Sequence, residues 1–350
     1  MARPDLSQHG AENSTNYQAG NDIHVHGLSL QEARTVAIDV FRANARELAG
    51  IAQAVAAQRA EELTSAYLSK LESDRPERVN ELATPDMQNM LFEAQKEYAR
   101  SGEEDLREAL VDLLSARSEE SERNLRTLAL NEAIISAPKL TEQQRRAIAW
   151  IFYLRYSRSL DVQTPEGLYG EIRPVVDALG VNVPRSSADY QHIEYVGAGS
   201  AGVGLSTFGK SVAAGHEGLF TKGFMAVDVK PDLLVALREN HLVGGALRDA
   251  NRLQLSAGSE FDLTRLVESA GMSDRLPEIR VLMGKGRMSD DEIADEVVRY
   301  IPEIQLLRET WDSNEAQLKS LNLTSVGIAL GHAYWSRFTG NKASLKRWLP

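Results

Sequence analysis

Apolar residues in the first half of the chain recur at intervals of three and four, the period of one helix face. A run from Ala33, Val36 and Ala37 through Phe41, Leu48, Ile51, Ala52 and Val55 to Leu63, Tyr67 and Leu71 has no proline before Pro76. It predicts one helix of roughly 40 residues, about 60 Å long. Ser29-Leu30-Gln31-Glu32 starts that helix as a capping box, the serine hydroxyl and glutamate carboxylate each taking a free amide of the first turn. Thr84-Pro85-Asp86 and Thr164-Pro165-Glu166 place a hydroxyl N-cap, a proline at the first helical position and an acid at the positive end of the dipole. Thr141 to Gln144 and Ser289 to Glu292 are further capping boxes. Leu106, Leu110, Leu113 and Leu114 form one inward stripe, and Ile148, Ile151, Phe152 and Leu154 form another. Residues 29–180 therefore read as a helical array.

Near residues 181–190 the pattern changes. Glycines cluster, and three short β-like runs follow: Ile193 to Val196, Phe224 to Val227 and Ile279 to Leu282. They predict a smaller mixed α/β domain, with helical spacing resuming over 231–240, 262–269 and 290–321. Leu323 to Leu330 followed by Tyr334 to Gly340 looks like the last helix and wing of a winged-helix unit. The expected fold is mainly α, organised as a polar arm (1–27), a helical domain (28–182) and a mixed C-terminal domain (183–350).

Composition narrows the function classes. Among 350 residues, 50 Asp and Glu outweigh 39 Lys and Arg for a net charge of −11, which argues against a chain whose whole surface binds nucleic acid or anionic lipid. The absence of cysteine excludes a disulfide framework, a cysteine-ligated metal and a cysteine nucleophile. Met1 to Gly27 has no apolar h-region, and the longest weakly charged stretch, Tyr195 to Phe224, is broken by eight glycines. Neither reads as a signal peptide or a membrane span, so the chain is read as cytoplasmic.

Within the arm, Asn16, Tyr17, Gln18, Ala19, Gly20 and Asn21 precede Ile23 and Val25. Asn and Gln stack as amide ladders, Ile23 and Val25 project to one face of a strand, and few charges oppose in-register stacking. The segment is similar to the Gln-containing core of the RIP homotypic interaction motif and to bacterial amyloid signalling motifs. His24 and His26 lie on one strand face, but two imidazoles lack the further ligands that a metal site needs. Joined to Gly27 through Asn44, the arm resembles an N-terminal module of bacterial proteins associated with anti-phage defence islands. Further blocks that resemble one such family are Leu91 to Arg100, Pro138 to Thr141 and Leu323 to Ala329. The resemblance implies a defence setting and a homo-oligomer, or a partner with a similar motif; it implies no reaction and no cofactor.

Two alternatives come from other motifs. Gly197, Gly199 and Gly202 form a GxGxxG, with Asp228 placed as a ribose-binding acid, the pattern of a dinucleotide fold. Gly204 to Ser211 matches the phosphate-binding P-loop, in which Gly209, Lys210 and Ser211 would serve phosphate and magnesium. The segment Ala316 to Pro350 has no acidic residue, and Arg337, Lys342, Lys346 and Arg347 would contact nucleic acid. No nucleophile, base and acid series stands out. The leading reading is a non-enzymatic assembly component, ahead of a nucleotide-dependent effector and a nucleic-acid-binding module.

Overall fold

The computed structural model describes residues 29–44, 50–159, 161–202, 204–340 and 343–350. Its body is mainly helical. The helices α1 (Leu30–Asn44) and α2 (Gly50–Asp74) lead into α3 (Pro85–Ser101), α4 (Glu104–Ser118), α5 (Leu125–Ser136), α6 (Glu142–Tyr156), α7 (Pro165–Leu179) and α8 (Ser187–Tyr195). The cap chemistry predicts the starts of α1, α3, α6 and α7. Thr84, Thr141, Thr164 and Ser289 each accept a backbone amide of the turn they open, and the Ser29–Glu32 box is formed in both directions. Both leucine and isoleucine stripes are buried.

The single long helix is corrected to a helical hairpin. Arg34 of α1 is ion-paired with Glu61 of α2, residues that would lie about 40 Å apart in one straight helix. Phe41 packs with Ala56 and Ala60, and the Gln95 amide of α3 bridges the Ala37 carbonyl at 3.2 Å and the Thr64 hydroxyl at 2.8 Å. Ala52 and Val55 are exposed. The period of an apolar stripe is the same in one helix or in two that fold back, so the turn was not visible in it.

None of the three β-like runs is a strand. Ile193 to Tyr195 closes α8, Phe224 forms only an isolated bridge to Leu253, and 279–282 lies inside α12 (Leu276–Gly284). Short apolar runs fit a buried helix as well as a strand, and contacts decide between them. Among the described residues, strands pair in two short antiparallel pairs, beside isolated bridges at Thr221–Arg287 and Phe224–Leu253. β1 (Gly199–Ala201) meets β4 (Leu321–Leu323) with Gly199 opposite Leu323, and β2 (Val243–Gly245) meets β3 (Leu253–Leu255) with Val243 opposite Leu255. The remaining helices are α9 (Phe208–Ala213), α10 (Pro231–Glu239), α11 (Glu260–Ser269), α13 (Asp290–Tyr300), α14 (Gln305–Asp312) and α15 (Ser325–Thr339).

The main core does not divide at 181–190: it runs from Ala33 to Leu349 through both halves of the sequence. A second, smaller core of Phe224, Leu233, Leu237, Leu255, Leu263 and Ile279 belongs to α10–α12 and the β2–β3 pair. It is tied to the main body by Arg248, whose guanidinium donates to Glu296 at 2.6 Å and to the Leu219 carbonyl at 2.7 Å.

α15 is not a recognition helix with a wing. Gly327 and the seven consecutive residues from Ala329 to Trp335 are buried, with α15 packed against α4, α5 and α6, and among the described residues no strand follows Leu323. Phe152 sits among the rings of Trp335, Trp348 and His332, with centroids 5.2–5.9 Å away. These aromatic residues fill the seam between α6 and the C-terminal turn.

A carboxylate hub joins the ends of the chain. Asp105, in the first turn of α4, accepts from Arg145 of α6 at 3.2 Å, from the Tyr334 hydroxyl at 2.9 Å and from Arg337 at 2.5 Å. Burial pushes its carboxyl upward, but Arg337, Tyr334 and Arg145 outweigh that and hold it below the usual range. Arg145 is only 1% exposed and also reaches Glu103 at 2.9 Å. Replacing Asp105 leaves Arg145 buried with less compensation, so Asp105→Ala is expected to destabilise the fold by about 3–5 kcal/mol. Removing the exposed Glu142 carboxylate, paired only with Arg146 at 2.5 Å, should change stability by less than about 1 kcal/mol. Urea unfolding of the two variants checks both.

His216 gives a pH signature. Burial first, and the nearby Arg158 charge second, pull its imidazole down to about 4. Between roughly 6.5 and 4 the unfolded chain binds a proton that the folded chain refuses, so this contribution to stability is lost as pH falls through that window. The urea midpoint of His216→Gln should therefore fall less steeply from pH 6.5 to 4.5 than that of the parent chain.

Candidate functional site

The glycine-rich region serves packing. Gly197, at φ +84°, ends α8 in a Schellman turn, with the Ala198 amide donating to Ile193 O at 3.1 Å and the Gly197 amide to Glu194 O at 2.9 Å. Gly199 and Gly202 lie so close to β4 that an added Cβ would stand 2.9 Å from Leu321 and 2.4 Å from Asn322. A dinucleotide site needs a strand before these glycines and a helix after them; here α8 precedes them and Gly199 opens the strand β1. Asp228 caps its own turn by accepting the Met225 amide at 3.1 Å.

The P-loop reading meets the same correction. α9 starts at Phe208, before the lysine, and two amides of its first turn are already taken: Asp312 accepts the Phe208 amide at 2.9 Å and the Thr207 hydroxyl accepts the Lys210 amide at 3.2 Å, while donating its own proton to Asp290 at 2.6 Å. Two carboxylates stand where a phosphate would bind. Ser211 is buried and 3.0 Å from the Ser206 hydroxyl, while Lys210 is exposed. A Cβ on Gly209 would lie 1.9 Å from the Asp290 carbonyl, whereas Gly204 has open space. Gly209→Ala is accordingly expected to lower stability by about 2–3 kcal/mol through overpacking, with Gly204→Ala within about 0.5 kcal/mol of the parent; paired thermal melts decide.

The basic end is also dispersed. Arg337 is engaged by Asp105 and, at 3.3 Å, by Glu108, and its guanidinium lies 4.3 Å from the Phe338 ring centroid. It is an internal clamp rather than a nucleic-acid contact. Lys346 and Arg347 are exposed on the C-terminal turn; Lys342 lies outside the described residues, as do Asn16 to Asn21, Ile23 and Val25 of the arm.

The structure brings together a different set. A groove of about 520 Å³ opens between α2, α4 and α15, within the usual range of ligand pockets. The last turns of all three helices line it: Lys70, Ser73 and Asp74 from α2, Ser115 and Ala116 from α4, and Ser336 and Arg337 from α15. Leu113, Leu130, Ala333 and Leu345 supply an apolar wall. Asp112 accepts from Lys70 Nζ at 3.1 Å through Oδ1, and its Oδ2 has no partner among the described residues. Burial raises the Asp112 carboxyl above its ordinary range against the pull of Lys70.

The groove's histidine is not a base for its serine. His332 Nε2 lies 2.8 Å from the Ala343 carbonyl, which can only accept, so that nitrogen carries the proton. Ser336 Oγ is 3.4 Å from the same nitrogen and finds no lone pair there. Burial lowers the His332 imidazole, opposed by the bond to Ala343, which leaves a neutral positioning group. In this geometry the His332–Ser336 pair does not activate the hydroxyl as a nucleophile. Sequence reading passed over the groove, although Asp105, Glu108 and Asp112 fall at i, i+3 and i+7 on one face of α4, an acidic line beside an otherwise leucine-rich helix.

A protein-family model described only as ":-like" matches residues 27–349, and that description names no activity. No curated protein and no solved structure matches the chain. Among the described residues no helix is long and apolar enough to cross a membrane, and no cluster of three or more His, Asp or Glu could hold a metal ion. The match spans nearly all of the 350 residues, and the chain belongs to the family that this model describes.

Proposed function

We propose that the protein is a bacterial anti-phage defence component that self-assembles, or recruits a partner with a similar motif, through Asn16 to Val25, and that its helical body is a non-enzymatic adaptor or sensor. The observation that supports this reading is that the helical body begins directly after the arm. Its core runs from Ala33 to Leu349, and α1 opens with a capping box at Ser29. The arm's amide side chains and low charge supply the chemistry of in-register stacking. The defence setting rests on the resemblance of the arm and the blocks at 91–100, 138–141 and 323–329.

The test compares the full chain with a chain beginning at Leu28 and with the double variant Gln18→Ala, Gly20→Asp. Light scattering, thioflavin fluorescence and electron microscopy should show ordered fibres or higher oligomers for the full chain alone, with circular dichroism unchanged in all three. The same small particle from all three would overturn the assembly reading.

A further inference from the structure

We propose that residues 223–286 form a lobe that swings as one body about a paired-glycine hinge, and that two ion pairs latch it in the closed position seen here. Such a motion needs a separate core, chain crossings that lie side by side, and a junction held by polar contacts rather than by shared apolar packing. The core of Phe224, Leu233, Leu237, Leu255, Leu263 and Ile279 shares no residue with the main core. The chain also enters and leaves the lobe at one place. Thr221 and Arg287 form an antiparallel bridge, the Lys222 amide donates to the Gly286 carbonyl at 2.7 Å, and Gly223 and Gly286 follow at φ +76° and +70°. A Cβ on Gly286 would run into the Gly223 carbonyl, so the crossings abut because no side chain stands between them. Both glycines hold a left-handed backbone without steric penalty, and together they define a single axis.

The ties across the junction are polar. Arg158 of the body pairs with Asp262 of α11 at 2.7 Å. Arg248 of the lobe pairs with Glu296 of α13 at 2.6 Å and donates to the Leu219 carbonyl at 2.7 Å, while the Gly218 amide donates to the Gly258 carbonyl at 3.0 Å. Glu296 is held in place from the body side, because the Tyr169 hydroxyl of α7 also donates to it. Groups of this kind exchange a protein partner for water at modest net cost, so the lobe can part from the body while each core stays intact. Opening would lift Arg248 off the Phe220 ring, whose centroid is now 5.5 Å away, and uncover the segment 218–220.

The hinge is independent of the arm and is tested on the full chain by distances between paired spin labels, which the absence of native cysteine leaves free of background. Glu268→Cys with Asp177→Cys measures lobe against body, Glu268→Cys with Glu239→Cys lies within the lobe, and Asp177→Cys with Glu132→Cys lies within the body, all at exposed positions. In the latch variant Asp262→Asn, Glu296→Gln the lobe-to-body distances should broaden and lengthen while both internal pairs stay narrow. The Gly218 amide should exchange its hydrogen about tenfold faster or more in that variant. If the variant does not fold, exchange in the parent chain serves: Gly218, bonded across the junction, should exchange faster than Val267 in the lobe core. A lobe-to-body distribution as narrow in the latch variant as the internal pairs, broadening of the pair within the lobe, or Gly218 exchanging no faster than Val267 would each overturn the hinge.

Discussion

Burying the Arg145 guanidinium is the constraint on which the body depends. A charge with 1% exposure is tolerable in an interior only if carboxylates and carbonyls meet its donors, and here Asp105, Glu103 and the Leu140 carbonyl do so. Asp105 can serve because it lies in the first turn of α4, where the helix dipole favours an anion. Its second oxygen takes Arg337, so α15 is joined to a helix more than two hundred residues earlier in the chain. Such a network contributes register more than net stability. A shift of α15 by one turn would remove Tyr334 and Arg337 from Asp105 and leave charges unmatched inside the core.

α15 then has two faces with different tasks. One carries Tyr334 and Arg337 to the hub, while the other presents Ala329, Ala333 and Ser336 to the groove. Arg337 borders both the groove and the smaller cavity of about 350 Å³ beside Glu104, Glu108 and Arg146. The groove is thus built on the same helix that holds the body together, with its rim supplied by α2. The approach of α15 to β1 is close: a Cβ on Gly327 would stand 1.8 Å from the Ala198 carbonyl, which is why glycine occupies the first turn of this helix.

Cap residues and leucine stripes were legible because their physics is local: a hydroxyl three residues before an amide finds it whatever the rest of the chain does. The hairpin of α1 and α2 was not, since an apolar period carries no information about where a helix folds back. The nucleotide motifs misled for a related reason. Glycine spacing records only that side chains are excluded, and in this protein what excludes them is β4 at Gly199 and Gly202 and the Asp290 carbonyl at Gly209, not a phosphate. Basic residues near the C-terminus likewise state a charge without its partner, and Asp105 is that partner for Arg337.

The sequence by itself determined the helical class, where α1, α3, α6, α7 and α13 begin, which faces turn inward and the acidic balance of the charged residues. It also carries the amide-rich arm, whose chemistry is readable residue by residue. Only the tertiary structure decided which charges are matched and where a cavity remains. Those properties belong to pairs of residues such as Asp105 with Arg337, or Asp112 with Lys70, which lie far apart in the chain and meet only when helices pack. A groove made of three helix ends has no local sequence pattern, because none of its walls is complete on any one segment.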